Sequence, residues 1–220
     1  MLRTSYHPGR GAEQWHNAAG SIAYPTADNS QQSLDVYNRF TWNRLEGATA
    51  GSYNWKDFDD EIKDAINNGQ KFSFGIMSCF PWGSGRGIVI YDNGDAAYPE
   101  YLHRLMQSET YKDWKTDGSG PTDGYGSWVP NWNSPYYLDR LRALHEALYA
   151  HIKSSSYTAI TGPHKGKSIA YKDVISNIDI RGYGSWGEWH AAGIVDDISR
   201  LPGGTRSHCC NIKNNHRSSR

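Results

Sequence analysis

The residues best suited to proton-transfer chemistry lie close together near position 188. Glu188 stands between Trp186 and Trp189, and His190 follows two residues later. Apolar rings beside a carboxyl group shield it from water, which disfavours its charged form and raises its pKa. A carboxyl group that keeps its proton near neutral pH can donate it to a leaving group. The pattern predicts a general acid/base at Glu188, with His190 bonding to it or to a substrate; a plain ion pair between the two is the alternative.

A second set of residues suits the binding of a polyhydroxylated ligand. The chain has nine Trp and fifteen Tyr but only five Phe, so most of its rings carry a polar group. Such rings suit half-hydrated surfaces, and their faces can stack on the C–H face of a sugar. A Tyr- and Trp-rich core is the alternative reading of the same composition. The candidate ligand-binding residues are Arg39, Trp42, Trp82, Trp128, Asn131, Trp132, Trp186 and His190.

The elements that must position these residues are strands that alternate with helices along the chain. Period-two and period-three-to-four spacing of apolar residues distinguishes the two kinds of element. Strands are predicted at 35–42, 71–77 and 174–183, with a weaker candidate at 20–24. Helices are predicted at 55–68, 99–114 and 135–152, the second of them inside a long Gly-, Pro- and Trp-rich stretch at 83–135. This order is typical of a parallel sheet with crossover helices, so the predicted class is α/β.

Charged residues occur inside two of the predicted strands. If Ile178 and Ile180 face the helices, Asp179 and Arg181 must face the opposite side, because side chains alternate along a strand. The same alternation places Arg39 on that side of the strand at 35–42. Buried charges need partners, so an ion-pair network is expected there, and Arg39 is also expected to reach the site near Glu188.

Three segments carry a resemblance to known families. Residues 39–47 (RFTWNRLEG), followed by 51–59 (GSYNWKDFD), resemble the second-strand segment of barrel glycosidases, including β-galactosidase-like ones. Residues 179–190 (DIRGYGSWGEWH) are similar to the end of the fourth strand in an uncharacterised bacterial family of glycosidase-like barrels. Residues 7–11 (HPGRG) resemble the beginning of that same family, with His in place of Asn.

The resemblance implies a TIM-type (β/α)8 barrel of which residues 1–199 supply about the first four β/α units. It implies Glu188 as acid/base, a loop-closing role for Glu46, and a second catalytic carboxylate after a seventh strand. Residues 200–220 are expected to be a disordered basic tail, out of frame with the rest. The implied function is a glycoside hydrolase acting on an oligosaccharide or polysaccharide, inactive as this piece. A non-catalytic carbohydrate-binding barrel is the alternative.

Composition argues against several other classes of partner. Lys plus Arg and Asp plus Glu each number 23, so no net charge attracts nucleic acid. No apolar run approaches the roughly 18 residues of a membrane helix. No phosphate-binding loop or usual zinc spacing occurs, so no cofactor or metal is expected.

Self-association through open sheet edges is expected. The resemblance implies a secreted or periplasmic parent protein, although residues 1–6 contain no apolar signal segment.

Overall fold

The computed structural model describes residues 13–15, 35–80, 89–116 and 126–189. The chain is a mixed α/β fold with small sheets in these ranges. The strands are β1 (Glu13–Trp15), β2 (Asp35–Thr41), β3 (Phe72–Met77), β4 (Val89–Tyr91), β5 (Gly94–Ala96), β6 (Trp114–Lys115), β7 (Gly126–Val129), β8 (Ser156–Thr158), β9 (Ser168–Ala170) and β10 (Ile175–Asp179). The α-helices are α1 (Trp42–Leu45), α2 (Lys56–Asn68), α3 (Glu100–Gln107) and α4 (Pro135–Ser154); 3-10 helices cover Tyr171–Asp173 and Ser185–Gly187.

Several sequence-based expectations fall outside the described residues. They concern the candidate strand at 20–24, the motif at 7–11, the side chains of Trp82 and His190, and the tail at 200–220 together with its boundary at residue 199.

The main sheet has four parallel strands in the spatial order β1-β2-β3-β10, which is also their order along the chain. Parallel neighbours need a crossover connection, and α2 provides it between β2 and β3. The strands predicted at 35–42 and 71–77 are confirmed. The strand predicted at 174–183 is shorter than expected, because β10 ends at Asp179.

One face of this sheet carries the hydrophobic core. Phe40 of β2 and Phe72 of β3 pack on Phe58 of α2, at centroid separations of 5.8 Å and 5.7 Å. Helix α2 ends where Gly69 adopts a left-handed conformation with φ 71°, and the N–H of Gly69 donates to the Ala65 and Ile66 carbonyls. The helix predicted at 55–68 is therefore confirmed together with its C-terminal glycine.

Helix α4 covers the core from further along the chain. Ser134 caps its N-terminus by accepting a hydrogen bond from the Tyr137 amide, and Pro135 occupies its first turn. Leu144 and Leu148 are buried on its inner side. These features confirm the helix predicted at 135–152, with two further residues at its C-terminus.

The exposed side chains of β10 differ from expectation. Ile178 and Ile180 were expected to face helices, yet they are 54% and 72% exposed. β10 is an edge strand of the main sheet as described, and its register with β3 shifts between Ile175 and Ile178. No described helix covers this part of the edge, which leaves two apolar side chains in contact with solvent.

A second sheet occupies part of the stretch at 83–135, where a long loop with one helix was expected. Its strands are ordered β4-β5-β7-β6. β4 and β5 form a hairpin whose turn residues Asp92 and Asn93 have φ of 48° and 55°, followed by Gly94. Positive φ at both turn residues is typical of a two-residue hairpin. Helix α3 is shorter than the predicted 99–114, because Trp114 and Lys115 belong to β6.

Three features of the described ranges concern partners and cofactors. None of the helices there has the length and apolar character needed to cross a membrane. No group of three or more His, Cys, Asp or Glu side chains in these ranges is placed to hold a metal ion. Cys79 is a buried free thiol whose pKa is raised by burial, so it is a poor nucleophile.

Candidate functional site

The face of the main sheet opposite the core is polar. Strand register places Arg39 of β2 and Asp179 of β10 on either side of Gly75 in β3. Tyr37 lies two residues before Arg39 and therefore on the same face. Arg181 follows β10 and donates from Nε to Asp179 Oδ2 at 2.6 Å. The ion-pair network predicted from strand alternation is present.

The Tyr37 hydroxyl links the members of this network. It donates to Asp179 Oδ2 at 2.8 Å and accepts from Arg181 Nε at 2.6 Å and from Arg39 Nε at 3.3 Å. Burial raises the pKa of Tyr37, a hydrogen bond from Arg39 opposes that shift, and the hydrogen bond to Asp179 adds to it. Tyr37 is therefore a neutral phenol that fixes the two guanidinium groups and the carboxylate relative to one another.

Glu188 completes the network from the loop after β10. Its Oε1 lies 2.8 Å from Arg39 Nη1 and 3.5 Å from Arg181 Nη1. Its side chain is 39% exposed, so the desolvation expected from the flanking Trp rings is incomplete. Glu188 is thus in contact with two cations and partly with solvent, whereas the sequence predicted shielding by apolar rings.

The loop that carries Glu188 is held in an unusual backbone conformation. Trp186 and Trp189 have φ of 51° and 61°, and Gly184 and Gly187 have φ of 84° and 68°. Positive φ is uncommon for residues other than glycine and costs of order 1–3 kcal/mol when it persists. Such conformations concentrate at functional sites, which is consistent with a specific role for this loop.

Backbone and side-chain contacts hold the loop in place. The Trp186 N–H donates to the Cys79 carbonyl at 3.0 Å, and Arg181 Nη1 donates to the Trp186 carbonyl at 3.1 Å. The Glu188 N–H donates to the Ser185 carbonyl at 2.9 Å. A β-carbon on Gly187 would lie 2.4 Å from the Arg181 carbonyl oxygen, so only glycine fits there. Arg181 therefore contacts the loop through its backbone as well as its guanidinium group.

A row of aromatic rings extends from the second sheet to this loop. Trp114 packs edge-on against Trp132, at a centroid separation of 5.7 Å. Trp132 contacts Tyr183 at 4.5 Å, and Tyr183 contacts Trp189 at 5.8 Å. Trp189 is 54% exposed, whereas Trp132 is 8% exposed. The row therefore ends in an exposed indole next to Glu188 and is most buried at Trp132.

Two residues expected to bind a ligand lie inside the protein. Trp42 is fully buried, and its Nε1 donates to Glu46 Oε2 at 2.7 Å. Asn131 is also fully buried; its Nδ2 donates to the Lys112 carbonyl at 3.2 Å. The expectation that these side chains face a ligand is not met in this structure, because both are fully used in packing and in hydrogen bonds within the protein.

Trp128 and Trp132 also pack within the protein. Trp128 is half-buried in the second sheet, donates from Nε1 to the Tyr91 carbonyl at 2.9 Å, and packs on His103 at a centroid separation of 4.4 Å. Among the expected ligand-binding residues that the structure describes, Arg39 contacts Glu188 directly, and the Trp186 carbonyl accepts a hydrogen bond from Arg181 Nη1. Tyr37 was missed, although its position two residues before Arg39 was a usable signal.

Glu46 is placed as the resemblance implies, in the closure of a loop. Its carboxylate is fully buried and accepts from Trp42 Nε1, from the Gly51 N–H at 2.7 Å and from Arg140 Nη2 at 2.5 Å. A backbone bridge joins Glu46 to Tyr53. The carboxylate has no exposed surface from which it could contact a substrate.

Comparison with known proteins shows weak similarity at the level of structure. No protein-family model matches this chain, and no curated protein matches it. Among solved structures, the catalytic domain of β-amylase from Paenibacillus polymyxa is similar at a TM-score of 0.40 and 18% sequence identity. The match covers 68% of this chain and 30% of that chain.

Proposed function

We propose that this chain forms part of a glycoside-hydrolase-like (β/α) barrel that binds an oligosaccharide or polysaccharide, with Glu188 as a catalytic carboxylate. The observation that carries the proposal is the 2.8 Å ion pair between Arg39 Nη1 and Glu188 Oε1. It joins the end of β2 to the loop after β10, and both lie at the carboxyl-terminal edge of parallel strands. Active sites of (β/α) barrels form at that edge.

The charges of the cluster favour a neutral polyhydroxylated ligand. Arg39 and Arg181 supply two positive charges, and Asp179 and Glu188 supply two negative charges, so the formal sum is zero. Both carboxylates keep about two fifths of their side-chain surface exposed, at 40% and 39%. Exposed carboxylates accept hydrogen bonds from hydroxyl groups, and guanidinium groups donate them. A sugar satisfies both kinds of group without adding a charge.

The two guanidinium groups beside Glu188 decide its proposed role. Glycoside hydrolysis uses two carboxyl groups around an oxocarbenium-like transition state. A carboxylate held by two guanidinium groups suits the group that activates water or stabilises positive charge, rather than the proton donor expected from the sequence. We place the second catalytic carboxylate after a seventh barrel strand, so the activity is proposed for a complete barrel.

A non-catalytic carbohydrate-binding role is the second candidate. It is favoured by the ion pairing of both carboxylates, since paired and hydrogen-bonded groups are fixed in position and suit recognition. Turnover distinguishes the candidates, because a binding protein needs Glu188 for affinity only.

The test is a calorimetric titration of the chain with neutral and with uronic-acid tetrasaccharides. We expect Arg39→Met and Glu188→Ala to weaken binding of a neutral sugar, whereas Glu146→Gln, an exposed carboxylate on α4, leaves it unchanged. In a complete barrel, Glu188→Gln is expected to lower kcat by roughly 10²–10⁴. Absence of binding by any neutral sugar at millimolar concentration, or equal binding by all the variants, would contradict the proposal.

A further inference from the structure

We propose that Trp189 is the surface on which a sugar ring stacks, a role that sequence reasoning gave to Trp42, Trp82, Trp128, Trp132 and Trp186. The inference rests on the proposed function and names the apolar half of the same site. Trp189 follows Glu188 directly and is 54% exposed, more than any other aromatic ring on this loop or in the row behind it that the structure describes.

Hydrogen bonds within the protein hold the indole of Trp189. Its Nε1 donates to the Ile180 carbonyl at 2.6 Å, and its backbone N–H donates to the Tyr183 carbonyl at 3.1 Å. The only polar group of the side chain is thus satisfied by the protein, so a ligand at the exposed part of the indole would meet carbon atoms. A side chain that is already held by the protein loses less conformational entropy when a ligand stacks on it.

Two features of Trp189 destabilise the chain in the absence of a ligand. The residue adopts φ 61°, which a side chain other than glycine occupies at a cost. The exposed indole also leaves a large apolar area in water. Glycine at this position would remove both costs, and this supports a use for the exposed part of the ring beyond its contacts with Ile180 and Tyr183.

The neighbours of Trp189 indicate a sugar as its occupant. Tyr183 packs against the indole at 5.8 Å and is itself backed by Trp132, so the ring has a rigid support. The adjacent residue carries the carboxylate that Arg39 holds at 2.8 Å. A pyranose ring has an apolar C–H face and a rim of hydroxyl groups, which matches an indole face beside a neutral ion-pair cluster.

The experiment compares variants of the full chain at position 189. Trp189→Ala and Trp189→Gly remove the ring, and glycine can adopt φ 61° without strain. Trp189→Phe keeps a smaller ring. Tyr149→Ala is the matched control, because Tyr149 is an exposed aromatic residue on α4, away from the loop. Neutral xylo-, cello-, manno- and galacto-tetraoses serve as probes, followed by calorimetry and by the indole N–H signals in NMR spectra.

We expect Trp189→Ala and Trp189→Gly each to weaken the best tetraose about tenfold, equal to about 1.4 kcal/mol. Trp189→Phe should retain most of the affinity, and Tyr149→Ala all of it. Binding that survives in Trp189→Gly but is lost in Glu188→Ala overturns this inference and leaves the proposed function standing. Binding of no tetraose overturns both.

A change in sedimentation with unchanged sugar affinity would instead assign Trp189 to contacts between copies of this chain, and would also overturn the inference. The simplest contradicting result is a Trp189→Gly variant that binds the tetraose as tightly as the wild type does. This variant removes the ring and allows the positive φ of residue 189.

Discussion

Gly75 lies against the side chain of Arg181: a β-carbon on residue 75 would be 2.6 Å from Arg181 Cδ and 3.0 Å from Cγ. Only glycine at this position of β3 lets Arg181 cross the strand and reach Tyr37 and Asp179. The absence of a side chain in the middle of the sheet is therefore what allows the polar network to form.

We expect Gly75→Ala to displace Arg181 and to weaken sugar binding about as much as Arg181→Ala does. In an Arg181→Ala background, Gly75→Ala should then have no further effect, because the clash it creates has been removed. Calorimetry of the two single variants and the double variant measures this. If Gly75→Ala weakens sugar binding equally in the wild type and in the Arg181→Ala variant, the alanine acts through β3 itself and not through Arg181.

The ion pair between Glu46 and Arg140 is expected to stabilise the folded chain. Arg140→Met leaves the fully buried Glu46 carboxylate without its cation, and breaking such a pair costs about 3 kcal/mol of unfolding free energy. Arg142→Met is the control on the same helix, because its ion pair with Asp139 is exposed on both sides; its effect should stay within about 0.5 kcal/mol. Urea unfolding compares them, and similar losses would contradict a special role for the pair.

His103 is expected to make stability depend on pH. Burial lowers the pKa of His103, but hydrogen bonding and charge from Asp113, with Asp92 adding to them, outweigh this and raise it above its usual 6.5. A raised pKa in the folded state stabilises the protein fully below the unfolded value, and this stabilisation is lost as pH rises through the folded value.

Melting temperatures between pH 5 and 9 measure the effect. The stability difference between the wild type and His103→Gln should be largest at the acidic end and should shrink above neutrality. His164→Gln, a half-buried position in a mostly exposed turn, is the control. A difference that does not change with pH would mean that His103 stays neutral between its two carboxylates.

Glycoside hydrolysis at Glu188 requires a second carboxyl group. Suppose that the chain hydrolyses aryl glycosides and that Glu188→Gln abolishes this activity. Asp179→Asn should then abolish it as well, since Asp179 is the exposed carboxylate on the same guanidinium group. Glu46→Gln should spare the chemistry, because that carboxylate is buried on Arg140.

Self-association is expected through the edge formed by β10. Ile178 and Ile180 are exposed there, and an edge strand with apolar side chains is a template for pairing. Sedimentation velocity should show oligomers whose fraction rises with concentration, and Ile180→Lys should reduce that fraction. Lysine at the exposed Leu138 of α4 is the control. A monomer at all concentrations would contradict the expectation.

The main sheet was predictable because its elements are long and regular. β2 and β3 alternate over six or seven residues, and α2 and α4 have recognisable ends at Gly69 and Ser134. The second sheet was not predictable, since its strands have two to four residues and such short runs carry no period.

The site was predictable where alternation along a strand decided the answer, as for Arg39 and Asp179. It was not predictable for Trp42, because composition cannot tell a buried indole from an exposed one. In the structure Trp42 is buried, and its indole N–H donates a hydrogen bond to Glu46, four residues later. The approach of Arg39 to Glu188 was expected, but the 3.5 Å approach of Arg181 Nη1 was not, because alternation along a strand says nothing about the loop that follows it.

The contacts of Arg181 imply that substitutions at several positions are coupled. Its guanidinium group contacts Asp179 and Glu188, its side chain needs glycine at position 75, and its backbone needs glycine at position 187. No one of these residues can change without disturbing the others, so single substitutions would be removed by selection while compensated combinations survive. Homologous sequences are therefore expected to keep or exchange Gly75, Asp179, Arg181, Gly187 and Glu188 as one linked set.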